Sequence, residues 1–312
     1  ISNNMKSLDK IISLFAFVVF YTSIFAQSSY CPEQMLLIQK YKSKNYTNAS
    51  SYIDTVLTQC PDKSKDAYFL HLCGFINYAI YKEIDGRAST SNSRGLACDY
   101  FIKSINYDNK QQFTEKNLQA INSFSISYIN DALMILQKME FKNQEKAVSF
   151  YNSFKKLKSI AEPNYDFTNI SVDFFNGMGR MYKMRYENDK ENSKNLLDSC
   201  IKYFNNSLAL NTNQYTPNYD LGILYHNLGV DIILEELDID ADLEMVILMQ
   251  EKAVNYFSKS LPFLEKVYKM KPEETSIVQG IAAVYYSLND MEKHVEFMNI
   301  LKDLETKSPE ED

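Results

Sequence analysis

Tryptophan is absent, and glycine (8) and proline (7) are scarce for a chain of 312 residues. All-β folds consume many turn residues, so this shortage argues against them and for helices. Histidine is rarer still: His71, His226 and His294 stand far apart. None has a second His four residues on with the Glu that a zinc peptidase helix requires. No GxSxG elbow is present to raise a nucleophilic serine. The five cysteines (Cys31, Cys60, Cys73, Cys98, Cys200) include no CxxC pair, so zinc-site spacing is missing too. Nor is there a long basic run. Lys155, Lys156 and Lys158 are the densest cluster, and 33 Lys+Arg against 40 Asp+Glu give a formal charge of −7. Phosphate backbones are gripped by clustered cations, so nucleic acid is not an expected partner.

Three local patterns invite a chemical reading and fail it. Gly177-Met178-Gly179 begins like a dinucleotide fingerprint, but Tyr182 stands at the third glycine position. Asp238, Asp240 and Asp242 have the alternation of a calcium loop, yet Leu243 and Met249 occupy the places of its glycine and its bidentate glutamate. An acidic turn with Asp242 capping the next helix explains them better. Cys200 reads as a small core residue rather than a nucleophile. No catalytic residue, metal or small-molecule cofactor is therefore assigned.

What the sequence does hold is an apolar leader and a recurring helical pattern. After Met5 come Lys6 and Lys10, an apolar run Ile11–Ile24, and Ala26 before Gln27. That order reads as an export signal cut after Ala26, with residues 1–4 an upstream extension. The alternative is an uncleaved anchor, for which the run is short. Tyr30 before Cys31 lacks the small side chain of a lipoprotein signal. No later apolar run is long enough to span a bilayer. The expected product is exported, periplasmic or extracellular, with residues 27–307 folded and 308–312 an acidic tail.

From Tyr30 to Lys63 a helix is predicted over Pro32–Lys42 and a second ending near Gln59, stopped by Pro61. With Tyr30 as position 1, Ala49 falls at 20, Ile53 at 24 and Val56 at 27. The same spacing returns with Gly179 at 8, Tyr182 at 11, Cys200 at 20 and Phe204 at 24. It is strongest where Leu221, Gly222, Tyr225, Leu228 and Gly229 fill 7, 8, 11, 14 and 15, followed by Ser260 at 20, Leu264 at 24 and Pro272 at 32. The last unit places Ala282 at 8 and Tyr285 at 11, with His294 where a small residue is expected. Residues 64–109 and 114–162 fit more loosely; there Ala97, Phe101, Tyr128 and Ala147 are the landmarks, and Asp85–Gly95 reads as an exposed loop. Two antiparallel helices approach closely only where the crossing residues are small, with large residues a turn away filling the gap.

This pattern resembles the 34-residue tetratricopeptide repeat, in its exported bacterial form, over nearly the whole chain after the leader. The resemblance implies an all-α, right-handed superhelical solenoid of about six helix pairs, with the penultimate pair lengthened over Gly229–Ala253. It implies a scaffold rather than an enzyme, binding a protein or extended peptide in a concave groove as an adaptor or assembly factor. The groove positions carried over are Asn176, Arg180 and Lys183; Tyr219, His226 and Asn227; and Gln279 and Tyr286. A cell-envelope glycan-binding protein using tyrosine platforms is the rival, favoured by clustered exposed tyrosines and opposed by buried ones. In the first unit, Cys31 and Cys60 fall at the adjacent ends of an antiparallel pair. They are expected either to bridge, worth about 3 kcal/mol by loop entropy, or to remain two half-buried thiols.

Overall fold

The structure, a computed structural model, describes residues 31–236 and 242–307. The leader, the Asp238 and Asp240 portion of the acidic connection, and the tail 308–312 lie outside those residues. Among the described residues there is no strand. Helices α1 (Pro32–Lys42), α2 (Tyr46–Ser51) and α3 (Ile53–Gln59) are followed by α4 (Ala67–Ala79) and α5 (Asn92–Tyr107). Then come α6 (Thr114–Gln137), α7 (Gln144–Ala161), α8 (Thr168–Asn188) and α9 (Lys194–Leu210). The series ends with α10 (Tyr215–Asp231), α11 (Leu243–Met270), α12 (Thr275–Ser287) and α13 (Met291–Lys307).

The helix boundaries have local causes. Pro32 opens α1 at the first helical position, where a missing N–H costs nothing. Asp66 caps α4 by accepting from the Phe69 N–H at 2.9 Å, and Asp242 caps α11 by accepting from Met245 N–H at 2.8 Å. Single π-helical turns, Ile80–Ile84 and Ile232–Glu236, extend α4 and α10.

Consecutive helices pack as neighbouring antiparallel pairs, and α4–α5, α8–α9 and α10–α11 each close on a glycine. A Cβ placed on Gly74 would stand 2.5 Å from the Phe101 ring, one on Gly179 2.6 Å from Phe204, and one on Gly222 2.6 Å from Leu264. No real Cβ tolerates such contacts, so glycine is what allows these helix axes to approach. Ala49, Ala97, Cys200 and Ser260, at the second small position, are fully buried. Ser260 also donates its hydroxyl to the Gly222 carbonyl at 2.7 Å. In the last pair His294 takes that place, and its Nδ1 donates to the Ala282 carbonyl at 2.9 Å, a polar link instead of a close approach.

The core is a series of clusters rather than one centre. One joins α1–α4 through Leu37, Ile53, Phe69 and Cys73; the next joins α5, α6 and α7 through Phe101, Phe124 and Leu157. Others tie α7 to α8 and α9 to α10, and a last one joins α11 to α12. Each packs an element against its sequence neighbours, an arrangement compatible with a helical-repeat solenoid.

Two details depart from the sequence reading. The helix predicted up to Gln59 is broken at Tyr52 into α2 and α3. The segment Asp85–Gly95 is not wholly an exposed loop, because α5 begins at Asn92 and Arg94 is 1% exposed. Its guanidinium lies 3.7 Å from the Tyr128 ring centroid and 5.1 Å from that of Phe150. It bonds Asp131 at 2.5 Å, Ser127 at 3.1 Å and the Ser89 carbonyl at 3.2 Å. A planar cation can be buried when its faces meet aromatic rings and its edges meet acceptors.

Candidate functional site

The groove positions fall on the first helices of three pairs: α8, α10 and α12. Residues four apart on a helix share a face, which aligns Asn176 with Arg180. Arg180 and Lys183 converge on Asp220 of α10, at 3.2 and 2.8 Å. Arg180 also reaches the Thr216 hydroxyl at 3.4 Å. Asp220 and Lys183 are largely enclosed, while the Arg180 side chain is 52% exposed. Asp220 thus offsets one of the two positive charges, and the Arg180 guanidinium is held in place while half exposed. Asn176 is half-buried, and its Oδ1 is buried without a hydrogen-bond partner.

The other positions differ in how far they are free. The Tyr219 ring stacks on Tyr215 at 5.7 Å, and Tyr215 donates its hydroxyl to Glu274 at 2.8 Å, so this tyrosine is part of the packing between α10 and the link into α12. His226 is half-buried with its ring 5.5 Å from Phe257. Burial holds its pKa below the ordinary value, against a smaller opposing hydrogen bond from Asn227. Asn227 and Gln279 are exposed. Tyr286 is 62% exposed, its ring 5.2 Å from His294. The structure therefore joins Arg180 and Lys183 through Asp220, and leaves Gln279 and Tyr286 as separate features of α12. Sequence reasoning missed Asp220 and Thr216. Both precede apolar residues of the strongest repeat unit, and a carboxylate four residues after a threonine on the same face was the available signal.

Cys31 and Cys60 form a disulfide with Cα atoms 6.2 Å apart. The Glu33 carboxylate lies 3.7 and 3.6 Å from their two sulfurs. Among the described residues, Cys31, Glu33 and Cys60 are the group of Cys, His and carboxylate side chains with polar atoms within 4.8 Å of one another, and both sulfurs are consumed by the bond. Cys73, Cys98 and Cys200 are buried free thiols. Burial pushes the Cys98 and Cys200 thiols up to about 12 and Cys73 upward as well, so they are inert protonated groups at neutral pH.

A depression lined by Asn213, Pro262, Glu265, Lys266, Lys269 and Met270 lies along the second half of α11 and includes none of the groove positions in its lining. No described helix is long and apolar enough to cross a membrane.

No protein-family model matches the chain, and no curated protein matches it. Among solved structures it is similar to a crystal structure of MamA protein, at 18% identity and a TM-score of 0.32, over 74% of this chain and 93% of that one. A similarity this low carries no argument about fold or function. The paired helices, of a kind that fits a tetratricopeptide-type repeat, stand on their own contacts.

Proposed function

We propose that this is an exported, non-catalytic scaffold that binds an extended segment of a protein partner along the first helices of its pairs. In this reading about six pairs wind into a right-handed superhelix, and α8, α10 and α12 line its concave side. The observation that carries it is Arg180, held by Asp220 and Thr216 yet half open. A donor fixed in place before binding loses little freedom on meeting a peptide carbonyl. Asn227, Gln279 and Tyr286 are exposed on the first helices of the following pairs.

The glycan reading finds less support, since most of the relevant tyrosines serve packing. Tyr182 stacks on Tyr203, Tyr225 stacks on Tyr256, and Tyr285 is 3% exposed.

The test is photo-cross-linking from positions 227 and 286 in the native envelope, with adducts identified by mass spectrometry. Polypeptide adducts that disappear with Arg180→Ala support the groove. Adducts that are glycans, or that ignore Arg180→Ala, end it. Export is tested separately: a mature chain beginning at Gln27 in the extracytoplasmic fraction agrees with it, and an intact Met5 start in the cytoplasm does not.

A further inference from the structure

The α10–α11 pair is longer than its neighbours. Helix α11 has 28 residues, against 17 in α9 and 13 in α12. Among the described residues the helices flanking the pair are shorter than α11, and several apolar residues of its first half are exposed. Leu243 is 75% exposed, Ile247 48% and Val254 45%. At about 100° per residue these three fall within about 40° of one another, forming one stripe along the helix. Glu244 and Glu251, both exposed, lie seven residues apart and run along one edge of that stripe.

This extension is firmly built. A Cβ on Gly229 would stand 2.5 Å from Phe257, repeating seven residues outward the Gly222–Leu264 contact. Lys190 ties Asp231 at the base of the extension to the preceding pair at 2.7 Å. A close-packed pair whose outer stripe is apolar is presenting a surface.

Charge identifies the occupant. Residues 231–252 contain eight carboxylates and one lysine. The rest of the chain holds 32 acids and 32 bases, so the whole net charge of −7 resides in this segment. A second copy would set acid against acid, and an anionic lipid surface would be repelled. We infer that the outer face of α11 is a docking site for a cationic amphipathic helix of a partner protein, its apolar side on Leu243, Ile247 and Val254 and its lysines or arginines against Glu244 and Glu251. Such helix-on-helix recognition uses anchors one and two turns apart, as these are. The site is independent of the groove proposed above.

The test uses the full chain and a fluorescent 18-residue peptide of Lys and Leu with all leucines on one helical face. Binding is read by anisotropy, beside a peptide of the same composition with the leucines scattered. The amphipathic peptide is expected to bind at least tenfold more tightly. The advantage should vanish in Leu243→Ser/Ile247→Ser. Glu244→Lys/Glu251→Lys should weaken binding severalfold and remove most of its salt dependence. Unchanged thermal unfolding of each variant shows that the body is intact. Equal binding of the two peptides overturns the proposal, as does full binding by either double variant. Two further results also overturn it, each being abolished by Leu243→Ser/Ile247→Ser: a dimer in sedimentation, which would assign the face to a second copy, and flotation with phosphatidylcholine vesicles, which would assign it to lipid.

Discussion

The α8–α9 pair closes on one glycine, Gly179 against Phe204, whereas α10–α11 closes on two, Gly222 against Leu264 and Gly229 against Phe257. In the longer pair both contacts keep the same register, since moving seven residues forward on α10 meets seven residues back on α11. Two turns were added without altering how the helices cross. The shorter pair is enclosed by α6, α7 and α10, and its packing serves the body. The added turns leave Ile247 and Leu248 about half exposed. One kind of contact thus performs two tasks, consolidating the array in the first case and stiffening a projection in the second.

That contrast can be broken most forcefully in the body. Replacing Arg94 with Met strands Asp131 and removes the cation held between Tyr128 and Phe150. The expected loss is about 3 kcal/mol in urea unfolding, with no effect on hydrogen exchange in the extension beyond that global change. Opening the Cys31–Cys60 bridge by a double Cys→Ser change is expected to cost about 3 kcal/mol, chiefly as fraying of α1–α3 in hydrogen exchange. The sharpest comparison is Gly222→Val against Gly229→Val. The first overpacks the body and should cost about 2 kcal/mol globally. The second should change the global midpoint by less than ~1 kcal/mol while amide protection over 243–254 falls, because the projection can open alone.

The smallest effect is with pH. His71 and His226 both have pKa values lowered chiefly by burial. The unfolded chain therefore takes up protons first. Their contribution is complete above the ordinary value of about 6.5 and is lost as pH falls through it toward the lower folded values. His71, whose Nδ1 bonds Asn117 at 2.6 Å, sits in the body. His71→Asn should flatten the decline in stability between pH 7 and 5 without changing exchange in the extension.

Helix class and closest contacts were legible because they follow from local spacing. Gly179 with Phe204 and Gly222 with Leu264 stand where two small positions and one large one recur, and the pairing needs no knowledge of distant sequence. Pro32 at the head of α1 and Asp242 before α11 marked helix starts for equally local reasons. Arg94 was hidden because its segment is rich in Gly, Ser and Asn, which signals solvent, while its ring partners come from α6 and α7, more than 30 residues away. The break at Tyr52 and the π turns leave no spacing signature. At the candidate groove the side chains were assigned from repeat position, and that reasoning did not reach Asp220. Its value lies in meeting two cations from another helix, a relation set by how α10 stacks on α8.

The bridge at Cys31–Cys60 has a mechanical consequence. It holds 29 residues of separation to 6.2 Å, whereas the same stretch drawn out would span about 100 Å. A chain pulled from its ends in a force-extension measurement would lengthen by roughly that much less when oxidised than when reduced. The difference would appear wholly in the step that unravels α1–α3, so that reduction converts a fixed anchor at this end into slack.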